Sequence, residues 1–303
     1  MVDASSTANT NAPPDGSPWA NVGTVNDASG VYLGAGWALT ADHVGPGNLN
    51  LDGLTFTYDG TSQRLTNSDG TPTDMVMFHL SALPSLPKLL LTSSTPTASS
   101  QVDMIAYGRI AGSVQTNIGT YTGFYWSVYG YKSWGNNKVD AGGLITADAG
   151  YGNVTLFSTD FVMPSHLTTS DPAQAAPGDS GGGVFQKISS GWQLAGMLDA
   201  TESQTNQAAV YGDKTFAADI ATYRNEIVAI IEATIPELSI AQSGSAVQVC
   251  WPDTGVAYTL QTTPTLSPTS WTPASGTSSS APGQLCVLLS ATNSASFFRL
   301  QKQ

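Results

Sequence analysis

The sequence is poor in charge, in cysteine and in long apolar runs. Only 11% of its 303 residues are charged, and 22 acidic side chains outnumber 10 basic ones, for a net charge of −12. No basic patch is visible, so nucleic acid is not an expected partner. The acidity instead suits a protein kept in solution outside the cell. No run of 18 apolar residues occurs, so no membrane span is expected. No signal peptide is visible either, and Met1-Val2-Asp3-Ala4-Ser5-Ser6 reads as an added Met before a mature N-terminus. Secretion is therefore an expectation from composition. No cysteine precedes Cys250, and only Cys286 follows it. A Cys250–Cys286 disulfide fits an oxidising compartment and is worth up to ~4 kcal/mol in the chain-entropy model; two buried thiols are the alternative. The chain before Cys250 must rely on packing alone. Nothing calls for a metal or a cofactor.

What remains is rich in Ser, Thr, Gly and Asn, with 41% hydrophobic residues spread along the chain. That composition suits a β-rich, loop-rich globular protein, and the length suggests about two domains. The most informative stretch is Gln174-Ala-Ala-Pro-Gly-Asp-Ser-Gly-Gly-Gly-Val-Phe185. A serine hydroxyl is a weak nucleophile until a base takes its proton. Glycines beside Ser180 allow a sharp bend and close approach of a carbonyl, and the amides of Gly178 and Ser180 can point at one spot. Alone, this is also how a Gly-rich turn reads. Two upstream contexts decide. Thr40-Ala41-Asp42-His43 follows the apolar run Val31–Leu39, and Asp74 heads Met75-Val76-Met77-Phe78-His79-Leu80.

With the order His43, Asp74, Ser180, the chain resembles the trypsin/chymotrypsin-like serine proteases; subtilisins and α/β-hydrolases use other orders. Gln101–Gly108 looks like the family strand that ends in an aromatic-Gly pair, and Trp192–Leu198 like the strand after the nucleophile. The resemblance covers about residues 17–234. It implies that His43 is the general base, Asp74 orients it, Ser180 attacks the scissile carbonyl, and the Gly178 and Ser180 amides hold the oxyanion. Asp69, in an Asn-Ser-Asp-Gly turn, and Asp103, at the head of another strand, are weaker rivals for the acid. His79 and His166 read as structural. Asp42 departs from the small residue usual before the histidine and is expected to face solvent.

The fold expected is all-β: two antiparallel β-barrels of the chymotrypsin-like type with a C-terminal helix, plus a small β-sandwich. Residues 1–16 read as a flexible leader. Short apolar runs punctuated by Gly45-Pro46-Gly47, Asp59-Gly60 and Asp69-Gly70 place one barrel at about 17–115 and a second at about 116–215. Trp134–Asp140 reads as a turn. Phe216, Ile220, Tyr223, Ile227 and Ile230/Ile231 recur at helical spacing, predicting a helix over 216–235. Residues 236–303 alternate apolar and polar positions and predict a sandwich stapled by Cys250 and Cys286. This part resembles modules appended to secreted bacterial enzymes. Carbohydrate or a cell surface is its candidate ligand, although Trp251 and Trp271 are more often core.

By the resemblance, Gln174 sits at the base of the primary pocket, and Asp199, Ala200 and Thr201 form its wall. Gln174 is not the acid that selects Arg or Lys, so trypsin-like cleavage is not expected. Asp199 stands where the family has a small hydroxyl residue near the triad acid. Lys214 is a loose candidate near the pocket. No activation sequence of the animal type is visible, so Asp179 needs another partner; Arg109 and Arg224 are available cations. The reading is a secreted, monomeric serine endopeptidase acting on polypeptides. The alternative is an inactive protease-fold binding or adhesion protein.

Overall fold

Short apolar runs broken by Gly, Pro and Asn-Asp turns become short, mostly antiparallel strands. The computed structural model describes residues 1–4, 9–163, 169–233, 236–252, 257–267, 269–281, 284–290 and 295–302. It divides into two units, Met1–Ile231 and Glu232–Gln303. The chain opens with a two-residue strand, β1 (Val2–Asp3). The first sheet comes next, with β2 (Val22–Val25), β3 (Ala28–Gly34), β4 (Trp37–Thr40), β5 (Leu49–Leu51), β6 (Leu54–Phe56), β7 (Tyr58–Thr66) and β8 (Pro72–Leu80), in the order β6-β5-β2-β3-β4-β8-β7. Apolar clusters cover both of its faces. Val31 and Leu33 of β3, with Met75 and Met77 of β8, enter one apolar cluster. Tyr32, Phe78 and Leu80, on the opposite faces, enter another. The period of two along a strand produces this split.

The second sheet is built from β9 (Leu90–Leu91), β10 (Gln101–Ala111), β11 (Thr116–Ile118), β12 (Tyr121–Lys138), β13 (Ile145–Asp148), β14 (Asn153–Asp160), β16 (Gly183–Ile188), β17 (Gly191–Glu202), β18 (Ala208–Val210) and β19 (Lys214–Asp219). The intervening β15 (Ala173–Gln174) pairs with β1. Two expectations are corrected here. The boundary near residue 115 lies too late, because β10 pairs with β12 and β16 and so belongs to the second sheet. Trp134–Lys138 is not a turn; it pairs with Gln101–Ile105 of β10. The buried Asn137 amide donates to the carbonyls of Asp160 and Ala173, which lets a polar sequence occupy an interior strand.

A third correction concerns the leader. Met1 and Val2 are buried, and β1 is antiparallel to β15. The apolar pair Met1-Val2 enters the core, so the start of the segment is ordered by burial that its polar continuation hides.

The α-helix, α1, spans Ile220–Ala233 and so begins later than the expected residue 216; residues 234 and 235 lie outside the described residues. Its N-cap is Asp219, whose Oδ2 accepts from the Thr222 N–H at 3.0 Å and its hydroxyl at 2.8 Å. Phe216, counted into the helical stripe, lies on β19 opposite Ser158 and Ala200. Ile220, Tyr223, Ile227, Ile230 and Ile231 are buried in the cluster shared by both sheets. Each such side chain contributes roughly 1.5–3 kcal/mol when fully buried. Polar contacts tie α1 to both sheets: Tyr223 Oη donates to Asn67 and accepts from the Thr155 N–H, and Glu226 accepts from Thr66. The helix thus clamps the two sheets that carry the candidate site.

The second unit holds a four-stranded sheet, β20 (Ser239–Ser243), β21 (Ala246–Pro252), β25 (Gln284–Ser290) and β24 (Thr277–Ala281), in that order. A three-stranded sheet has β22 (Tyr258–Thr263) between β23 (Thr272–Pro273) and β26 (Phe297–Lys302). Val249, Trp251, Leu260, Val287 and Leu289 form one cluster fed from both sheets. Cys250 and Cys286 face each other across β21 and β25 and are disulfide-bonded.

Candidate active site

His43 and Asp74 are brought together by strand register. In the β4–β8 ladder Thr40 opposes Val76. One step further, the Asp42 N–H donates to the Asp74 carbonyl at 3.3 Å. The chain then turns, with Val44 and Gly45 N–H groups donating to the Ala41 carbonyl, and His43 swings over Asp74. Asp74, only 1% exposed, accepts two hydrogen bonds: the His43 main-chain N–H to Oδ1 at 2.8 Å, and His43 Nδ1 to Oδ2 at 2.6 Å. This holds the ring with Nε2 as its free nitrogen. The Asp74 hydrogen bond raises the His43 pKa above its ordinary 6.5; burial opposes this, and the charges of Asp74, Asp199 and Asp42 add to it.

Ser180 lies on the other sheet, in the turn before β16. The turn is closed by Asp179 N–H to the Ala176 carbonyl and Gly182 N–H to the Asp179 carbonyl. Gly178 takes φ +94°, a value that an L side chain resists. Gly181 allows the turn to press onto the first sheet, since a Cβ there would stand 2.2 Å from the Ser29 carbonyl oxygen and 2.3 Å from Thr40 Oγ1. Among the described residues, the amides of Asp179 and Gly181 have main-chain acceptors, whereas those of Gly178 and Ser180 have none.

Ser29 and Thr40 join the halves, and neither stands in a sequence context that marks it. Ser29 is fully buried; its N–H donates to the Ser180 carbonyl and its hydroxyl to the Gly178 carbonyl, both at 3.0 Å. The same hydroxyl accepts from the Tyr107 N–H at 2.8 Å, and Thr40 Oγ1 donates to the Ser29 carbonyl at 2.7 Å. A chain of hydrogen bonds therefore runs from the Ser180 turn to β4, which His43 follows. A serine in a β-hairpin has no pattern that advertises such a task.

The acid expected to face solvent is corrected. Asp42 pairs with Arg64 at 3.0 Å, because Arg64 on β7 lies alongside and is held by the Thr73 carbonyl. Arg64 also donates to the Tyr151 carbonyl, and the Tyr151 ring tilts over His43 with centroids 4.7 Å apart. Asp69 is occupied by Thr71 in its own turn. Asp103 is buried on β10 beside Asp15, and burial, then Asp15, push its carboxyl up to about 7. His79 pairs with Asp59, and His166 lies outside the described residues.

A cavity of about 150 Å³ opens beside Ser180, walled by Ala175, Ala176, Pro177 and the strand Leu198 to Thr201. Asp199, Ala200 and Thr201 thus line it. Gln174 does not: its side chain is buried and engages the Lys214 carbonyl and the Thr215 hydroxyl. Lys214 is paired with Asp140 and Asp160. Asp199 is 7% exposed; burial, then the charge of Asp74, push its carboxyl up to about 7. A larger cleft, about 830 Å³, lies on the other side of Gly178 between the sheets, lined by Asn26, Asn50, Tyr107, Arg109 and Tyr129 among others. It is lined by none of His43, Asp74 and Ser180, whereas Ser180 lines the smaller cavity.

Behind the site, the buried Asp179 carboxylate accepts from the Ala176 N–H at 2.8 Å and pairs with the amine of Met1 at 3.1 Å. That amine also donates to the Arg109 carbonyl and Ser133 Oγ. Burial pushes the Asp179 carboxyl up and the ammonium pulls it down. Arg109 thus contributes its carbonyl, not its guanidinium, to this cluster.

Comparison with protein-family models and with curated proteins gives no match for the sequence. Solved structures do match. The chain is similar to neuropsin, a serine protease of mouse brain, with TM-score 0.51, 13% identity, and coverage of 76% of this chain and 100% of that one. The chain has the chymotrypsin-like fold. Rv3671c protease of M. tuberculosis also matches (TM-score 0.45, 13% identity, 76% and 98% coverage), as does the murine norovirus 1 NS6 protease (0.41, 15%, 69% and 94%).

Among the described residues no helix is long and apolar enough to cross a membrane, and no group of three or more His, Cys, Asp or Glu could hold a metal. In the second unit, Trp251 is buried and Trp271 lies under the Arg299 guanidinium at 4.5 Å.

Proposed function

We propose that this chain is a serine endopeptidase that hydrolyses polypeptides through an acyl-enzyme. The observation that carries the reading is a buried carboxylate holding the Nδ1 of His43, on a sheet hydrogen-bonded through Ser29 to the Ser180 turn. In the first step Ser180 Oγ adds to the scissile carbonyl as His43 Nε2 takes its proton, and Asp74 stays ionised beside the imidazolium. The oxyanion is met by the Gly178 and Ser180 N–H groups. The intermediate collapses as His43 returns the proton to the leaving amine. Water then repeats the sequence on the ester and frees Ser180.

The primary pocket is small, and no cationic side chain lines it. We infer a preference for a small or medium uncharged side chain before the scissile bond. The second unit is read as a β-sandwich accessory module that binds carbohydrate or a cell surface, in a monomeric protein that works outside the cell, where its disulfide persists.

Covalent labelling by a fluorophosphonate, mapped to Ser180 and lost in S180A, tests the activity. A digest of a peptide library tests the preference. A folded sample that neither labels nor cleaves would leave the inactive binding protein in its place.

A further inference from the structure

The triad acid has a neighbour that the three-residue mechanism does not use. Asp199, on β17 and only 7% exposed, stands against Asp74, whose charge and hydrogen bonding raise its pKa, and feels the charge of His43, which lowers it. One of its oxygens, Oδ1, is buried with no hydrogen-bond partner among the described residues. Two carboxylates cannot donate to one another, so this contact closes only around a proton. Asp74 already accepts from two His43 N–H groups that need it ionised, so the proton belongs on Asp199.

We propose, resting on the protease reading above, that Asp199 is a positioning residue that acts as a protonated acid, donating to Asp74 and holding that carboxylate against His43. Its loss of the proton disables the site in two ways. Asp74 loses a donor, and a second negative charge appears beside the first. The proton also has somewhere else to go. Asp199 titrates at about 7 and His43 above 6.5, and a charge on either favours the charge on the other. The competent arrangement is neutral Asp199 with neutral His43; the competing one is a carboxylate with an imidazolium that cannot act as base.

The groups around Asp199 set this balance. Asp74 comes from β8 and His43 from the turn after β4. Asp42 acts on His43 and is itself paired with Arg64 of β7. Tyr223 of α1 feels the Asp199 charge. Asp148 of β13 shares a small cavity with Asp199 on one side, and Asp179, held by the Met1 amine, shares the primary pocket on the other. No cation among these groups is free to hold Asp199 ionised except His43 itself.

The test is the pH dependence of the rate at which a fluorophosphonate labels Ser180, which needs no knowledge of the substrate. Wild type should give a narrow bell, its alkaline limb set by Asp199. D199N keeps an N–H donor toward Asp74 but cannot ionise. Its alkaline limb should vanish, and its acid limb should move to lower pH because one charge raising His43 is gone. D199S, which keeps a hydroxyl donor, should match D199N, whereas D199A should label at least about tenfold more slowly at every pH, as when a hydrogen bond to a charged group is lost. Profiles of wild type, D199N and D199S that superimpose would overturn the proposal while leaving the protease reading intact. If wild type does not label at all, the protease reading fails by itself. An NMR titration of the His43 ring in S180A, where activity plays no part, then decides the Asp199 contact: the ring should titrate at lower pH once D199N is added, and an unmoved titration would refute the contact.

Discussion

Two histidine–aspartate pairs stand on the first sheet, and their geometry is almost the same. His43 Nδ1 lies 2.6 Å from Asp74 Oδ2, and His79 Nδ1 lies 2.5 Å from Asp59 Oδ2. Both rings are mostly buried, and both meet an aromatic side chain, Tyr151 for His43 and Trp37 for His79. They differ in their further surroundings. His79 Nε2 abuts the main chain at Gly36, so close that a Cβ there would stand 2.5 Å away. That pair is a packing device that fastens β7 to β8. His43 instead shares its acid with Asp199, which lines the cavity beside Ser180. A carboxylate on an imidazole is therefore no signature of catalysis by itself.

The contrast is broken most directly by removing each ring. H43A should lower fluorophosphonate labelling of Ser180 by on the order of 10⁴-fold or more, while H79A should leave the labelling rate within about twofold. Comparable losses in both variants would mean that the pairs had been assigned the wrong way round. The acids should behave alike, with D74N costing about 10⁴-fold in labelling rate. D59N should cost only about 1 kcal/mol of stability, read by denaturant titration. The glycines give a smaller effect. In G181A the new methyl meets the Ser29 carbonyl across the seam, so labelling should fall about 100-fold as the turn is displaced. In G36A the methyl meets His79, and the cost, about 1–3 kcal/mol, should appear only in stability. The smallest effect is on pH. Ser180 needs a neutral imidazole, and His43 is raised above 6.5 by its Asp74 hydrogen bond. Labelling should therefore fall with acid through a midpoint above 6.5, and a midpoint below it would mean that the hydrogen bond is weaker than the structure has it.

The sequence made much of this readable because the informative residues sit in local contexts. A serine among glycines, a histidine after an apolar strand and an aspartate heading another each carry their own signal. So do the alternating apolar positions of β3 and β8. What local context could not supply was the partner of each polar group. Asp42 read as a solvent-facing acid and is paired with Arg64. Lys214 read as a loose pocket residue and is spent on Asp140 and Asp160. Phe216 continued the helical stripe, yet the Asp219 cap places it on a strand. Trp134–Lys138 looked like a turn because its Gly-Asn-Asn is polar, and buried acceptors from distant strands make it an interior strand.

By itself, then, the order of residues determined that the chain is a β protein in short antiparallel strands with a late helix, because alternation and turn residues act within a few positions. It also determined which histidine, aspartate and serine are candidates for chemistry. Only the tertiary structure decided that Ser29 ties the Ser180 turn to the other sheet, that Asp42 pairs with Arg64, and that Asp199 is buried beside the Ser180 cavity. Those contacts join residues far apart in the chain. Their energies come from burial and charge, which depend on a group's surroundings in space rather than on its neighbours along the backbone.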